Sequence, residues 1–506
     1  MITQTDRLVA LAGELERIRA DTSRAVAKDG EDVHQVAVDH LVWAHAHLEA
    51  ARAMRDWARA TGDEAAREMA AAAEDDAEMG VRGRSLHDAI AADSRIAAMA
   101  SRPLPPPDLG APEEHRLLRA TLKDFAEREI RPFAQRVHRD DADIPEDVIA
   151  GVGRLGLFGI SIPEEYGGSQ QSTADPEAMV IATEELSRAS LGIGGSLMTR
   201  PEILVRTLIS GGTEEQKRRW LPGIASGKLL VAVAVTEPDQ GSDVAAIKCR
   251  ARGLPSGEWE ITGTKLWCTF AGRAELLMVL CRTSDTGHRG LSIFVMEKPA
   301  FHGRDFEHVQ TEGGVLRGRA IPTIGYRGMH SFELAFDRYR APAVALLGAD
   351  DGLDRGFYLQ MEGFAIGRLQ TAARAVGVMQ AAMDAAFAYT NQRRVFGHRE
   401  RDLPLVAAKL GRMAARTQAA RQLSYRAARL VRDGAGQMEA SLAKLYASKM
   451  AELVTRESMQ LQGGMGYAEE SEASRLYVDA RVFAIFEGAE EVLSLRVIGR
   501  SLLRTS

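Results

Sequence analysis

A single carboxylate near the C-terminus has the sequence surroundings of a general base. The segment from Gln460 to Glu491 reads QLQGGMGYAEESEASRLYVDARVFAIFEGAEE, so a glycine-dense loop and a helical stretch precede Glu487 and Gly488. The apolar run VFAIF directly before Glu487 predicts a poorly solvated carboxylate, an environment in which a glutamate can take a proton from carbon. A glutamate exposed at a helix end is the alternative, and spacing alone does not decide between the two.

A second segment has the residue types of a phosphate- or flavin-binding loop. The sequence VAVTEPDQGSDVAAI, residues 233–247, joins a predicted strand to a loop that contains Gly241, Ser242 and Asp243. Glycine permits close backbone approach, and a serine hydroxyl with exposed N–H groups can hold a phosphate or the edge of a flavin. The alternative is a capped turn in which Ser242 or Asp243 begins the next element.

The patterns around both segments predict the order α, linker, α, β, α. Apolar residues at helical spacing predict a helical extension over 1–100, and the proline-rich SRPLPPPDLGAPE predicts an extended linker over 101–113. Helical patterns resume over 114–228 and fill 346–506, whereas short runs with strand character predict an antiparallel β-domain over 229–345. The expected fold class is therefore α+β.

Composition argues against several other classes. Hydrophobic residues make up 45% and charged residues 26% of the 506 residues, as in ordinary globular proteins, and a net charge of -6 gives no basic field for nucleic acid. No apolar run is long enough to cross a bilayer, and we expect neither a signal peptide nor a transit peptide. Three cysteines without a CxxC pair indicate a reducing cytoplasm, and no histidine cluster indicates a metal site.

Taken together, VTEPDQGSD and QLQGGMGY...RLYVDAR...IFEG resemble the two signature regions of acyl-CoA dehydrogenases, in the same order and with a β-domain between helical domains. The resemblance covers residues 114–504 and implies the acyl-CoA dehydrogenase fold, FAD, an acyl-CoA substrate and electron-transfer flavoprotein as electron acceptor. It also implies a homodimer or homotetramer. Glu487 matches the base of the family, which removes the α proton of the thioester while the β hydrogen leaves as hydride.

The resemblance also implies which residues contact the flavin. In the loop they are Val235, Thr236, Gly241 and Ser242, and in the strand they are Trp267 and Thr269. The residues that reach the FAD of a neighbouring subunit are Arg393, Phe396, Gln460 and Gly464. Core packing is the alternative for Trp267, and Cys268 is expected to point away from the flavin. Some relatives carry the base directly before the arginine that matches Arg368, but here that position is Gly367, which has no side chain.

Three features resemble a narrower group, the family members that oxidise the branched dicarboxylic thioester (2S)-methylsuccinyl-CoA to mesaconyl-CoA. They are the extension, TRPEI at 199–203 and GGVLRGRAIPTIGYRGMHSFELAFD at 313–337. The free carboxylate of that substrate needs a cation, because a buried carboxylate without a partner is costly. Arg200 is the candidate, with a surface arginine or a structural ion pair as the alternative. The other expected substrate contacts are Ser242, Arg368 and Gly488.

Some positions depart from the common family pattern. Pro404 stands where many relatives have a glutamine near the flavin, Ala489 and Glu491 replace the usual Thr and Gln, and Ala365 replaces an acid that contacts CoA. An oxidase, or a dehydrogenase of another short or branched acyl-CoA, fits the same residues. A non-catalytic, DNA-associated flavoprotein would need a strongly basic domain. Whether the extension covers an oligomer interface or packs on the core stays open.

Overall fold

The computed structural model describes residues 4–29, 34–82, 105–170, 175–433 and 435–504. The chain divides into two compact units made of discontinuous segments. Unit 1 comprises Met1–Glu127, Pro176–Ala189 and Arg368–Ser506, and unit 2 comprises Arg128–Asp175 and Ser190–Gly367. Neither compact unit coincides with one of the five segments predicted from the sequence. The division into two units does not test that prediction, so it stays a prediction.

The described helices of eight or more residues follow the periodic patterns of the sequence. In chain order they are α1 (Gln4–Asp29), α2 (Gln35–Thr61), α3 (Glu64–Arg82), α4 (Glu113–Phe125), α5 (Arg131–Asp140), α6 (Glu146–Arg154), α7 (Pro176–Ala189), α8 (Thr199–Gly211), α9 (Glu214–Ala225), α10 (Gly356–Gln392), α11 (Pro404–Arg432), α12 (Gln437–Tyr467) and α13 (Glu472–Arg481). Among the described residues, no helix is both long enough and apolar enough to span a membrane.

Unit 2 contains an eight-stranded sheet. Its strands are β1 (Val231–Ala234), β2 (Arg250–Gly253), β3 (Trp259–Thr269), β4 (Leu276–Arg282), β5 (Leu291–Glu297), β6 (Asp305–Val309), β7 (Val315–Ile321) and β8 (Ser331–Ala341). The strand order is β1-β4-β2-β3-β8-β7-β6, and β5 pairs with β4. Most pairs are antiparallel, but β4 runs parallel to β1 and β2, so the expected antiparallel domain is corrected to a mixed sheet. The chain between β1 and β4 is long enough for the crossover that a parallel pair requires.

The described part of the extension, α1–α3, packs on the C-terminal helices of the same chain within unit 1. Ser494 Oγ donates to Asp39 Oδ1 at 2.5 Å, and the ion pair between Arg416 and Asp76 joins α11 to α3 at 3.1 Å. The side chains buried on α2 form its inner face: Val38, Leu41, Val42, Leu48, Met54 and Trp57. The described part of the extension is thus part of the helical core of unit 1.

The rest of the predicted extension, residues 83–100, and the first four linker residues lie outside the described residues. The remainder of the linker returns to α2, where Trp57 Nε1 donates to the Leu109 carbonyl at 3.0 Å. A proline-rich segment has few N–H donors of its own, so its free carbonyls suit such side-chain donors.

Candidate active site

A buried ion pair in unit 2 holds the loop that follows β1. Lys265 on β3 is fully buried, and its ammonium donates to Glu237 Oε1 and to the Val235 carbonyl, both at 2.9 Å. The Glu237 carboxylate also accepts the N–H groups of Lys248 and Cys249 at 2.6 and 2.8 Å. A buried pair with its hydrogen bonds satisfied is costly to break, so the loop leaves the sheet in one conformation. The sequence analysis missed both charges, although a lysine inside an otherwise strand-forming run is a usable signal.

Of the four loop residues expected to contact the flavin, Val235 is buried and Thr236 is partly buried. Gly241 and Ser242 are exposed, and beside Gly241 only the Thr236 methyl group comes within 4 Å of where a side chain would begin. The Leu266 N–H donates to the Thr236 carbonyl at 2.8 Å, which ties the loop to β3. Asp243 precedes a short 3-10 turn without making a side-chain cap. The loop therefore leaves space and polar groups available to a ligand.

Trp267 is turned out of the sheet by a bulge. The register between β3 and β8 shifts between Lys265 and Cys268, and the Trp267 backbone is left-handed with φ of 59°. The indole is 52% exposed, whereas Cys268 is fully buried and Thr269 is nearly so. Core packing therefore does not describe Trp267. A half-exposed indole at a bulged strand end, beside an open loop, fits a planar ring such as the isoalloxazine of FAD.

Arg200, near the start of α8, is a buried cation held by hydroxyl groups. Its guanidinium donates to Tyr326 Oη at 3.3 Å and to Thr269 Oγ1 at 3.1 Å, and Thr269 Oγ1 lies 3.1 Å from Ser331 Oγ. Only 7% of Arg200 is exposed, and no carboxylate of the described residues lies within 4.0 Å of it. Neither alternative, a surface arginine or a structural ion pair, describes this residue. Tyr326 and Ser331 belong to the 313–337 segment, and Arg200 belongs to TRPEI. Two of the three features that resemble the narrower group are therefore in contact through the hydrogen bonds around Arg200.

Glu202 is a second buried charge-bearing group on α8. Burial raises the pKa of its carboxyl group to about 7, and a hydrogen bond with Ser161 opposes the shift. Its Oε1 atom is buried without a hydrogen-bond partner among the described residues. Although Glu202 is close to Arg200 in sequence, the two side chains form no ion pair within 4.0 Å.

Glu487 lies in unit 1 at a strained turn. Its φ is 54° and that of Gly488 is 96°, so both residues have left-handed backbone, which is rare for a glutamate. The side chain is half-buried, and Glu487 Oε2 is buried without a hydrogen-bond partner among the residues that the structure describes. This differs from a solvated helix end, and it leaves a carboxylate oxygen available to a proton donor.

One face of α12 holds this turn on both sides. Lys444 Nζ donates to the Gly488 carbonyl at 2.6 Å, and Ser448 Oγ donates to the Phe483 carbonyl at 3.2 Å. Both side chains are buried. Burial lowers the pKa of Lys444 to about 7, and the negative charge of Glu487 opposes that shift. The sequence analysis missed both α12 residues.

Two arginines on α10 lie on the same side of unit 1. Arg368 Nη1 donates to Ser441 Oγ at 3.3 Å, and burial lowers the pKa of Arg368 while Glu487 opposes the shift. The Arg374 guanidinium lies 4.6 Å from the centre of the Phe486 ring. Arg368 thus lies near enough to Glu487 to feel its charge, and its assignment as a substrate contact stays a prediction.

The residues expected to reach a neighbouring subunit are all exposed in the single chain: Arg393, Phe396, Gln460 and Gly464. Phe396 is 93% exposed and lies with φ of 52° in the loop of the hairpin between β9 (Arg394–Val395) and β10 (His398–Arg399). Two of the positions that depart from the common family pattern are Pro404, which begins α11, and Ala365, which is buried in α10.

Comparison with known proteins identifies the family. Models of the N-terminal, middle and C-terminal domains of acyl-CoA dehydrogenase match residues 112–228, 232–339 and 354–503. The (2S)-methylsuccinyl-CoA dehydrogenase of Cereibacter sphaeroides is 40% identical over 398 residues, 78% of this chain and 70% of that protein. The mitochondrial short-chain specific acyl-CoA dehydrogenase of Bos taurus is 35% identical over 77% of this chain and 90% of that protein.

Solved structures agree with the sequence comparisons. Butyryl-CoA dehydrogenase from Megasphaera elsdenii has a TM-score of 0.72 and 29% identity, covering 78% of this chain and 99% of that one. A glutaryl-CoA dehydrogenase bound to glutaryl-CoA has a TM-score of 0.69 and 29% identity, covering 77% and 95%. The expected fold, enzyme class and cofactor are thereby confirmed: the chain belongs to the acyl-CoA dehydrogenase family, FAD-dependent oxidoreductases that act on CH–CH bonds.

Proposed function

We propose that the protein oxidises (2S)-methylsuccinyl-CoA to mesaconyl-CoA, the reaction that would place it in the ethylmalonyl-CoA pathway, with Glu487 as base and Arg200 as the partner of the free carboxylate. One observation carries the choice of substrate: Arg200 is buried and has no acidic partner within 4.0 Å among the described residues. The relative named for this substrate shares 40% of the aligned residues.

The cost of an unbalanced buried cation is the physical argument. Desolvating an ion costs several kcal/mol unless an opposite charge and further hydrogen bonds compensate, and the hydroxyl groups of Tyr326 and Thr269 carry no formal charge. A guanidinium has five N–H donors, so these two bonds leave donors for a carboxylate. A dicarboxylic acyl group would supply that carboxylate, whereas a butyryl chain would place a methyl group there.

The residues around Glu487 are suited to removing an α proton. Its backbone is left-handed, and its Oε2 atom, which has no hydrogen-bond partner among the described residues, can accept the proton. The backbone N–H of Glu487 is expected to polarise the thioester carbonyl, as in the family. When bound, FAD supplies the two-electron acceptor for the β hydrogen, and the product is a trans-2-enoyl thioester.

Arg200→Met tests the substrate assignment. Losing one partner of a buried charge pair costs about 2–5 kcal/mol, so we expect KM for methylsuccinyl-CoA to rise at least ~30-fold and KM for butyryl-CoA to change less than ~3-fold. The measurement is steady-state turnover with each thioester. Arg206→Met is the matched control, because Arg206 lies on the same helix and is exposed.

Equal effects of Arg200→Met on both substrates would remove the assignment of Arg200 and with it the argument for a dicarboxylic acyl group. Bleaching of bound flavin with methylsuccinyl-CoA, isovaleryl-CoA, glutaryl-CoA and butyryl-CoA tests the substrate independently. Glu487→Gln should keep FAD bound and stop bleaching, and undiminished turnover in this variant would exclude Glu487 as the base.

We also propose electron-transfer flavoprotein as electron acceptor, a homo-oligomeric assembly and a cytoplasmic location. Support for the assembly comes from the exposure of Arg393, Phe396, Gln460 and Gly464, the four residues that the family resemblance assigns to a neighbouring flavin. A phenylalanine that is 93% exposed is costly in water, and contact with another subunit would remove that cost.

A further inference from the structure

The turn that carries Glu487 is held by a buried lysine that no step of the proposed reaction uses. Lys444 is 1% exposed, and Nζ donates to the Gly488 carbonyl at 2.6 Å. A lysine is rarely buried to this degree, because desolvating its ammonium is costly. The buried ammonium therefore contacts the residue directly after the expected base.

From this contact we infer that Lys444 is a positioning residue for the base: it holds the Gly488 carbonyl so that Glu487 keeps its left-handed backbone. The inference rests on the proposed function, because it assumes that Glu487 removes the proton. Left-handed backbone at a non-glycine residue costs roughly 1–3 kcal/mol and persists only where surrounding contacts enforce it. Lys444 and Ser448 provide such contacts on the two sides of the turn.

The charges that face Lys444 come from two directions. Glu487 and Glu490 on the turn stabilise its ammonium, while Arg368 and Arg374 on α10 oppose it. Lys444 therefore joins the base-bearing turn to α12 through the Gly488 carbonyl, whereas the more exposed Lys449 contacts the turn through Glu490. A neutral side chain at this position would remove both the donor and one positive charge beside Glu487.

The test compares Lys444→Met, Lys444→Arg and the control Lys449→Met. Lys449 also lies on α12, five residues after Lys444. Its side chain is 44% exposed and pairs weakly with Glu490 at 3.4 Å. We expect Lys444→Met to lower the limiting rate of flavin bleaching at least tenfold, with the half-saturating substrate concentration changed less than threefold. Lys444→Arg should recover at least part of the loss because it keeps a cationic donor, and Lys449→Met should match the unmodified protein.

A second measurement does not depend on turnover. Amide hydrogen exchange over residues 483–488 should be faster in Lys444→Met than in the unmodified protein. Lys449→Met should leave exchange in this range unchanged, because Lys449 contacts Glu490 and only Lys444→Met frees the Gly488 carbonyl. A limiting rate of Lys444→Met within threefold of normal, or equal losses in the Met and Arg variants, would overturn the inference.

The remaining outcomes also decide the question. If no Lys444 variant, including Lys444→Gln, gives folded protein with bound FAD, the residue serves folding and the inference is wrong. If Glu487→Gln still bleaches the flavin, the proposed function fails and the inference fails with it. If Glu487→Gln abolishes bleaching while Lys444→Met leaves it unchanged, only the role of Lys444 is refuted.

Discussion

Replacing Lys265 with methionine should destabilise the protein more than replacing any exposed lysine or arginine of the same sheet. The change leaves the buried Glu237 carboxylate without its cation and the Val235 carbonyl without its side-chain donor, while the N–H groups of Lys248 and Cys249 remain. Breaking one partner of a buried pair costs about 3–5 kcal/mol. We expect a loss of this size in the free energy of unfolding, together with weaker retention of FAD because the loop is no longer held.

Urea unfolding followed by circular dichroism, and the flavin content after gel filtration, measure the two effects. Arg317→Met is the matched control, since Arg317 lies 2.6 Å from Glu307 on the same sheet and both side chains are about half exposed. Such a surface pair contributes at most ~1 kcal/mol. The double change Lys265→Met with Glu237→Gln should recover part of the loss, because it leaves no unpaired charge. If Lys265→Met costs no more than Arg317→Met, the loop does not depend on the buried pair.

Two further predictions concern other parts of the molecule. Because the pKa of Glu202 is raised from 4.5 to about 7 by burial, the folded protein binds more protons than the unfolded chain between these values, so the stability associated with Glu202 falls as pH rises through this window. As pH rises from 4 to 8, the free energy of unfolding of Glu202→Gln should therefore increase by up to ~3 kcal/mol relative to that of the unmodified protein, as measured by urea unfolding. A difference between the two proteins that does not change with pH would contradict a pKa of about 7 for Glu202. Gly499→Ala would drive a methyl group against Val38 of α2 and against the Ser494 carbonyl and should cost ~1–3 kcal/mol, and Val38→Ala in the same chain should relieve the part that is due to Val38. Thermal unfolding of the two single variants and the double variant measures this coupling, and strictly additive losses would show that the extension is not docked there.

The sequence predicted those features that depend on local pattern. Short runs with strand character predicted the region that holds β1–β8, and helical spacing predicted the helices of the extension and of the C-terminal region. The sequence also singled out Glu487, from its surroundings and the motif, and Trp267, from the motif, and their roles stay predictions. In each case the information lies within a few residues of the feature.

Features that depend on distant pairing were not predicted. Lys265 and Glu237 are 28 residues apart and meet only through the register of the sheet, and Lys444 is 44 residues from Gly488. The parallel pairing of β4 likewise depends on the path of the chain between strands. No local pattern specifies such contacts, because their energy arises only when both partners are buried together.

The contact between Asp39 and Ser494 spans 455 residues of sequence, which has a consequence for synthesis in the cell. At about 5–20 residues per second, the ribosome releases α2 roughly 20–90 seconds before the segment on which it packs. During this interval α2 can pack on α1 and α3, but the apolar surface that packs on the C-terminal helices has no native partner and is exposed to other nascent chains. Helix formation alone cannot protect it, because most helical stability in proteins comes from packing. Molecular chaperones that bind emerging apolar helices are therefore expected to be important for the yield of this protein, and slower translation would lengthen rather than shorten the period of risk.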